Sequence, residues 1–221
     1  MEEKKIEILY PGFVNVYLVS IDEGFALIDT GFAKDWEKLE NELISRKVLP
    51  DRLKIVVLTH GDQDHAGNAK KLQDKYKVKI GIHKDDYDSI KKGEFPKRRV
   101  RPLGFKILFA IVMMIRKMKK TSENKNLFNP TFLSDEKSLN EFGFDAKIIH
   151  IPGHSKGSIG VLTKDKSFFA GDTFVNRRKP EIAQIIENDD ELKESIEKIR
   201  SLDVKKIYPG HGRPFLISEL K

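Results

Sequence analysis

Cysteine is absent from the 221 residues. That excludes disulfides, thiolate-held zinc, iron–sulfur clusters and a cysteine nucleophile, so any metal must be held by nitrogen and oxygen. A run long enough to cross a bilayer is also missing. The longest near-continuous apolar stretch, Leu103 to Ile115, is interrupted by Lys106 and has about thirteen residues where about twenty are needed. The start, Met1-Glu2-Glu3-Lys4-Lys5, lacks the apolar core of a secretory signal, which makes a cytoplasmic location the expectation.

Acid is scarce in one segment. Between Lys91 and Lys120 there are eleven Lys and Arg against Glu94 alone, a local net charge of +10 within an overall formal charge of +7. The rest of the chain is therefore slightly acidic, and the basicity belongs to one place. Its charges are interleaved with bulky aliphatics rather than stacking aromatics, so a nucleic-acid partner is not expected. The segment from about 91 to 128 reads as a basic, apolar helical insertion. It is either a helix packed on the domain or a lid drawing in an anionic substrate, with residues 103–120 also able to touch an anionic membrane surface.

With 39% apolar residues the chain can bury a core, and its length suits one domain spanning 1–221. Ile6 to Tyr10, Val14 to Ser20 and Phe25 to Ile28 read as a β meander. Trp36, Leu39, Leu43 and Ile44 fall on one helical face, and a second helix is expected from about Gly67 to Tyr76. Strand-like runs recur at 55–58, 78–82, 131–133, 146–151, 158–162 and 167–170. A helix over about 190–201 and a last strand at 206–208 follow.

The densest chemistry lies in Thr59-His60-Gly61-Asp62-Gln63-Asp64-His65, which puts four candidate metal ligands directly after the apolar run Ile55 to Leu58. Two His bracketing two Asp suit divalent transition metals better than calcium. Three later runs end in Gly followed by a ligand type: Pro152-Gly153-His154, Ala170-Gly171-Asp172 and Pro209-Gly210-His211. A glycine there leaves room for a tight turn and a close approach. Four imidazoles and three carboxylates from four strand ends suit a two-metal centre. His83, His150 and Lys156 read as structural or solvated residues.

These motifs, with Leu27-Ile28-Asp29-Thr30-Gly31, Gly157-Ser158 and Tyr208-Pro209-Gly210-His211-Gly212, resemble the metallo-β-lactamase superfamily of hydrolases in composition, order and spacing. The resemblance implies an α+β fold, a four-layer αββα sandwich with metals at one edge of two packed sheets. It implies that His60, Asp62 and His154 hold one ion, that Asp64, His65 and His211 hold the other, and that Asp172 bridges them. Asp29 would orient the site without ligating. The implied activity is hydrolysis of a small ester, thioester or lactone by a metal-bridging hydroxide, with Asp64 orienting the nucleophile and passing a proton. Zinc is the first expectation. The acid at 62, where the family commonly has His, makes the centre more neutral and favours iron or manganese beside it. Two other readings stay open: a di-iron oxidoreductase like the metal domain of flavodiiron proteins, and a phosphodiesterase of the same fold.

Overall fold

The computed structural model describes residues 5–9, 13–92, 99–100 and 127–220. The chain opens as three antiparallel strands, β1 (Ile6–Ile8), β2 (Tyr17–Ile21) and β3 (Gly24–Ile28). Helix α1 (Trp36–Ser45) then crosses over to β4 (Leu53–Val57), which pairs parallel with β3. Beyond it come the one-turn helix α2 (Gln63–Ala66), α3 (Ala69–Tyr76), β5 (Lys79–Ile82) and α4 (Lys84–Lys92). A two-residue strand β6 (Arg99–Val100) and β7 (Pro130–Phe132) follow, and β7 completes a sheet of order β1-β2-β3-β4-β5-β7.

The second sheet is built from β8 (Ala146–His150), β9 (Ile159–Thr163), β10 (Ser167–Asn176), β11 (Glu181–Ile182), β13 (Lys206–Gly212) and β14 (Phe215–Leu216). Between β11 and β13 lie β12 (Ile185–Ile186), paired with β6, and helix α5 (Asp189–Ser201). The Asn188 side chain caps α5 by accepting from the amides of Asp190 and Glu191, which satisfies two otherwise open donors.

Side-chain alternation along the strands sorts the apolar residues into three buried layers. Leu18, Leu27 and Val56 point to Leu39, Leu43 and Leu72 of α1 and α3. Tyr17, Val19, Ile28 and Val57 point the other way, onto Ile148, Val161, Phe169 and Tyr208 of the second sheet. From that sheet's far face Ile149, Phe168 and Ile207 meet Leu192, Ile196 and Ile199 of α5. The layers run helix, sheet, sheet, helix: the αββα sandwich.

Local expectations shift in four places. Ile44 is 60% exposed rather than on the buried stripe of α1. The expected helix from Gly67 is two helices, because the Asn68 side chain turns back to donate to the carbonyls of Thr30 and Phe32. β10 and β13 run on through Asp172 and His211 instead of ending before them, and β14 follows. Of the insertion at 91–128, residues 93–98 and 101–126 lie outside the described residues, and Arg99–Val100 is strand rather than helix. Among the described residues no helix is long and apolar enough to cross a membrane.

Candidate metal centre

Strand β4 delivers Leu58, Thr59 and His60 to the sheet edge, and α2 turns Asp64 and His65 back over it. Across the inter-sheet seam, His154 follows β8, while Asp172 and His211 come from the paired strands β10 and β13. The parallel register of that pair slips on either side of Gly171: Phe169 faces Tyr208, Gly171 faces Pro209, and Val175 faces His211. The surplus residues on β10 form a bulge that carries Asp172, and a bulge re-aims the side chain it bears.

All four histidines are fixed in one way. His65 can donate from Nδ1 to Asp29 Oδ2 at 2.8 Å, His60 to Thr59 Oγ1 at 3.0 Å, His154 to the Ile185 carbonyl at 2.7 Å, and His211 to the Phe13 carbonyl. Each Nε2 is thereby left facing the centre. Such partners on the outer nitrogen set both tautomer and ring direction at metal-binding imidazoles. Asp29 also accepts from the amide (2.8 Å) and hydroxyl (2.8 Å) of Thr59, so one carboxylate supports His65 directly and His60 through Thr59.

The inward donors form compact groups. The ligand atoms of His60, Asp62 and His154 lie within 4.8 Å of one another, as do those of Asp64, His65 and His211, and those of His60, His65 and Asp172. Asp172 stands between the first two groups, with Oδ1 3.3 Å from His65 Nε2 and Oδ2 3.2 Å from His211 Nε2 and 3.9 Å from His154 Nε2. His60 Nε2, His65 Nε2 and Asp172 Oδ1 are buried and have no hydrogen-bond partner within the chain. Buried polar atoms without partners are costly, and bound cations would satisfy all three. The donor set of imidazole nitrogen and carboxylate oxygen fits divalent metal ions.

Without metal the cluster stores protons. Burial would depress His65, but the negative charges of Asp29, Asp172 and Asp64 outweigh it and raise its pKa well above the ordinary imidazole value. His211 is raised by Asp172 against the same burial penalty. Burial would raise Asp172, yet the neighbouring His211 and His65 hold it well below the usual carboxylate range. Metal binding must displace such protons.

Several residues that build the site carry no motif. Asn15 and Tyr17 donate to the Pro209 carbonyl at 2.9 and 2.6 Å, and Asn15 also to that of Gly212, which pins the end of β13 around His211. Asp86, 4% exposed, accepts from Gly61, Ser155 and Gly157 beside two of the histidines. As one of two adjacent acids opening a helix, it offered only the ordinary signal of an N-terminal helix charge. His83 and His150 lie away from the cluster and stack on each other at 4.4 Å. Lys156 contributes its carbonyl to His150 Nε2.

The chain resembles known proteins over the same region. A family model described as the metallo-beta-lactamase superfamily matches residues 9–211. A probable metallo-hydrolase, YflN of Bacillus subtilis, is 24% identical across 90% of this chain and 81% of its own. A hydroxyacylglutathione hydrolase of Pelagibacter ubique is 28% identical across 75% of this chain, which spans about half (55%) of that relative's length. Among solved structures, TTHA1623 in a di-iron-bound form aligns with a TM-score of 0.70 at 20% identity, over 97% of this chain and 95% of that one. The matched residues take in each histidine and carboxylate of the cluster, and the sandwich recurs in the solved relative; this chain belongs to the metallo-β-lactamase superfamily of metal-dependent hydrolases.

Proposed function

We propose that the protein is a binuclear hydrolase acting on the ester, thioester or lactone bond of a small acyl-bearing, anionic molecule. The observation that carries this reading is the common orientation of four imidazoles, each tied at Nδ1 and each presenting Nε2 to a centre lined by Asp62, Asp64 and Asp172. His60, Asp62 and His154 would hold one ion, Asp64, His65 and His211 the other, and Asp172 would bridge. Two divalent ions, when bound, supply Lewis acidity toward a carbonyl oxygen and a water acidified to near neutral pH. Zinc is the first candidate. Three carboxylates also suit iron or manganese.

The chain's own groups do the rest. Asp64 Oδ2 lies 3.6 Å from His211 Nε2 and 4.0 Å from His65 Nε2. From there its carboxylate can orient an attacking water and carry that proton to the leaving oxygen or sulfur. Beside His211 stands an aromatic wall. Phe13 is 59% exposed, with its ring 5.0 Å from that of His211 and 6.1 Å from that of Phe32. Arg177 lies 4.6 Å over Phe13 and Lys34 lies 5.2 Å over Phe32. Apolar rings flanked by cations suit an acyl chain that ends in, or adjoins, an anionic group. Similarity to hydroxyacylglutathione hydrolases supports a thioester among the candidates.

The test is a panel of neutral and carboxylate-bearing aryl esters, 2-hydroxyacyl thioesters and lactones, assayed with metal-loaded protein. Hydrolysis abolished by chelation and restored by added metal is expected. Arg177→Ala should raise KM for the carboxylate-bearing members while kcat changes little. Activity confined to phosphodiesters would overturn the substrate class.

A further inference from the structure

Asp86 sits on α4, outside the ligand motifs, and is buried. Its carboxyl group is occupied by donors from two separate loops. Oδ2 accepts from the Gly61 amide at 2.7 Å and from the Ser155 hydroxyl at 2.8 Å, and Oδ1 accepts from the Gly157 amide at 2.8 Å. Gly61 lies between His60 and Asp62, and Ser155 follows His154 directly. The three residues so bracketed form one ligand group. The group of Asp64, His65 and His211 is braced by Asp29, which holds His65 directly and reaches His60 only through Thr59.

We propose that Asp86 is a positioning residue for one metal only, the ion of His60, Asp62 and His154, by tying the 60–62 loop to the 154–157 loop. This rests on the two-ion reading above. The bonds span 25, 69 and 71 residues of sequence, so none stabilises α4 itself. The fit also fixes the neighbours: a Cβ on Gly157 would lie 2.6 Å from Asp86 Oδ1 and 2.7 Å from its amide nitrogen. Ser155 Oγ is shared with Ser158 Oγ at 2.7 Å, which keeps that hydroxyl aimed. A carboxylate accepts on both oxygens, whereas an asparagine must turn an NH₂ toward one of the donors. Asp86→Asn therefore gives up either the Gly157 amide or the Gly61 amide as a donor, and so weakens the clamp without changing shape or filling space.

Cobalt(II) titration of the metal-free protein, followed by absorption and by calorimetry, separates the outcomes. Wild type is expected to take two equivalents; fewer than two would sink the binuclear reading itself. Asp86→Asn should keep one equivalent at wild-type affinity and weaken the other by about 10–100-fold, the usual cost of losing an outer partner at a metal site. Gly157→Ala, which crowds the same clamp and keeps its charge, should weaken the same equivalent. Location is read in single-site backgrounds. Asp86→Asn should weaken the ion that remains in His211→Ala and leave unchanged the ion that remains in His154→Ala. With wild type binding two, equal weakening in both backgrounds, loss of both equivalents together, or no change in either would overturn the proposal.

Discussion

Asp29 holds a left-handed backbone conformation (φ 61°), which Asp tolerates better than most residues. From that position its carboxylate reaches Thr59 and His65 together. Its role could be anticipated from an acid at a strand end within a known pattern. Asp86 could not, because its meaning lies in two loops 25 and 71 residues away that only the folded chain brings to it. The glycines before ligands were legible for a physical reason the structure makes concrete. A Cβ on Gly171 would stand 2.6 Å from Thr59 Oγ1, and one on Gly210 would press on Asp172 Oδ1 and lie 2.7 Å from His65 Cε1. Gly210→Ala is expected to cut metal affinity and activity by about 10–100-fold. Metal content and kcat/KM check it, and wild-type values for both would show that the centre has slack there.

At the scale of elements, strands were read well because a period of two with β-branched and aromatic residues is local information. Boundaries failed where tertiary contact decided them. Ile44 satisfies the helical pattern, yet Leu39 and Leu43 already fill the contact with the first sheet. Nothing local marks the bulge that lets β10 continue past Asp172. The stacked His83 and His150 join β5–α4 to the end of β8. Burial first, and then the neighbouring His150, lower the His83 pKa against the opposing pull of Asp85 and Asp86. A His held below its unfolded value of about 6.5 contributes stability that is present above that pH and lost as pH falls through the folded value. Between about pH 7 and pH 5 the melting temperature of metal-free wild type should therefore fall faster than that of His83→Gln. Parallel melting curves across that range would contradict this.

Over the whole molecule, the fold is a device for bringing two sheet edges together. Each sheet buries one face on helices and the other on its partner. The seam between them receives His60 and His65 from one side and His154, Asp172 and His211 from the other. The sandwich was legible because strand alternation is local, and His154, Asp172 and His211 stood out as candidates because each follows a glycine beside a strand-like run. Residues 91–120 carry a net charge of +10, and most of them lie outside the described residues. That the seven side chains hold two ions is tested by elemental mass spectrometry of protein purified without added metal: about two divalent ions per chain are expected, falling to about one in His154→Ala or His211→Ala. Metal-poor wild-type protein that takes up none on soaking would contradict it.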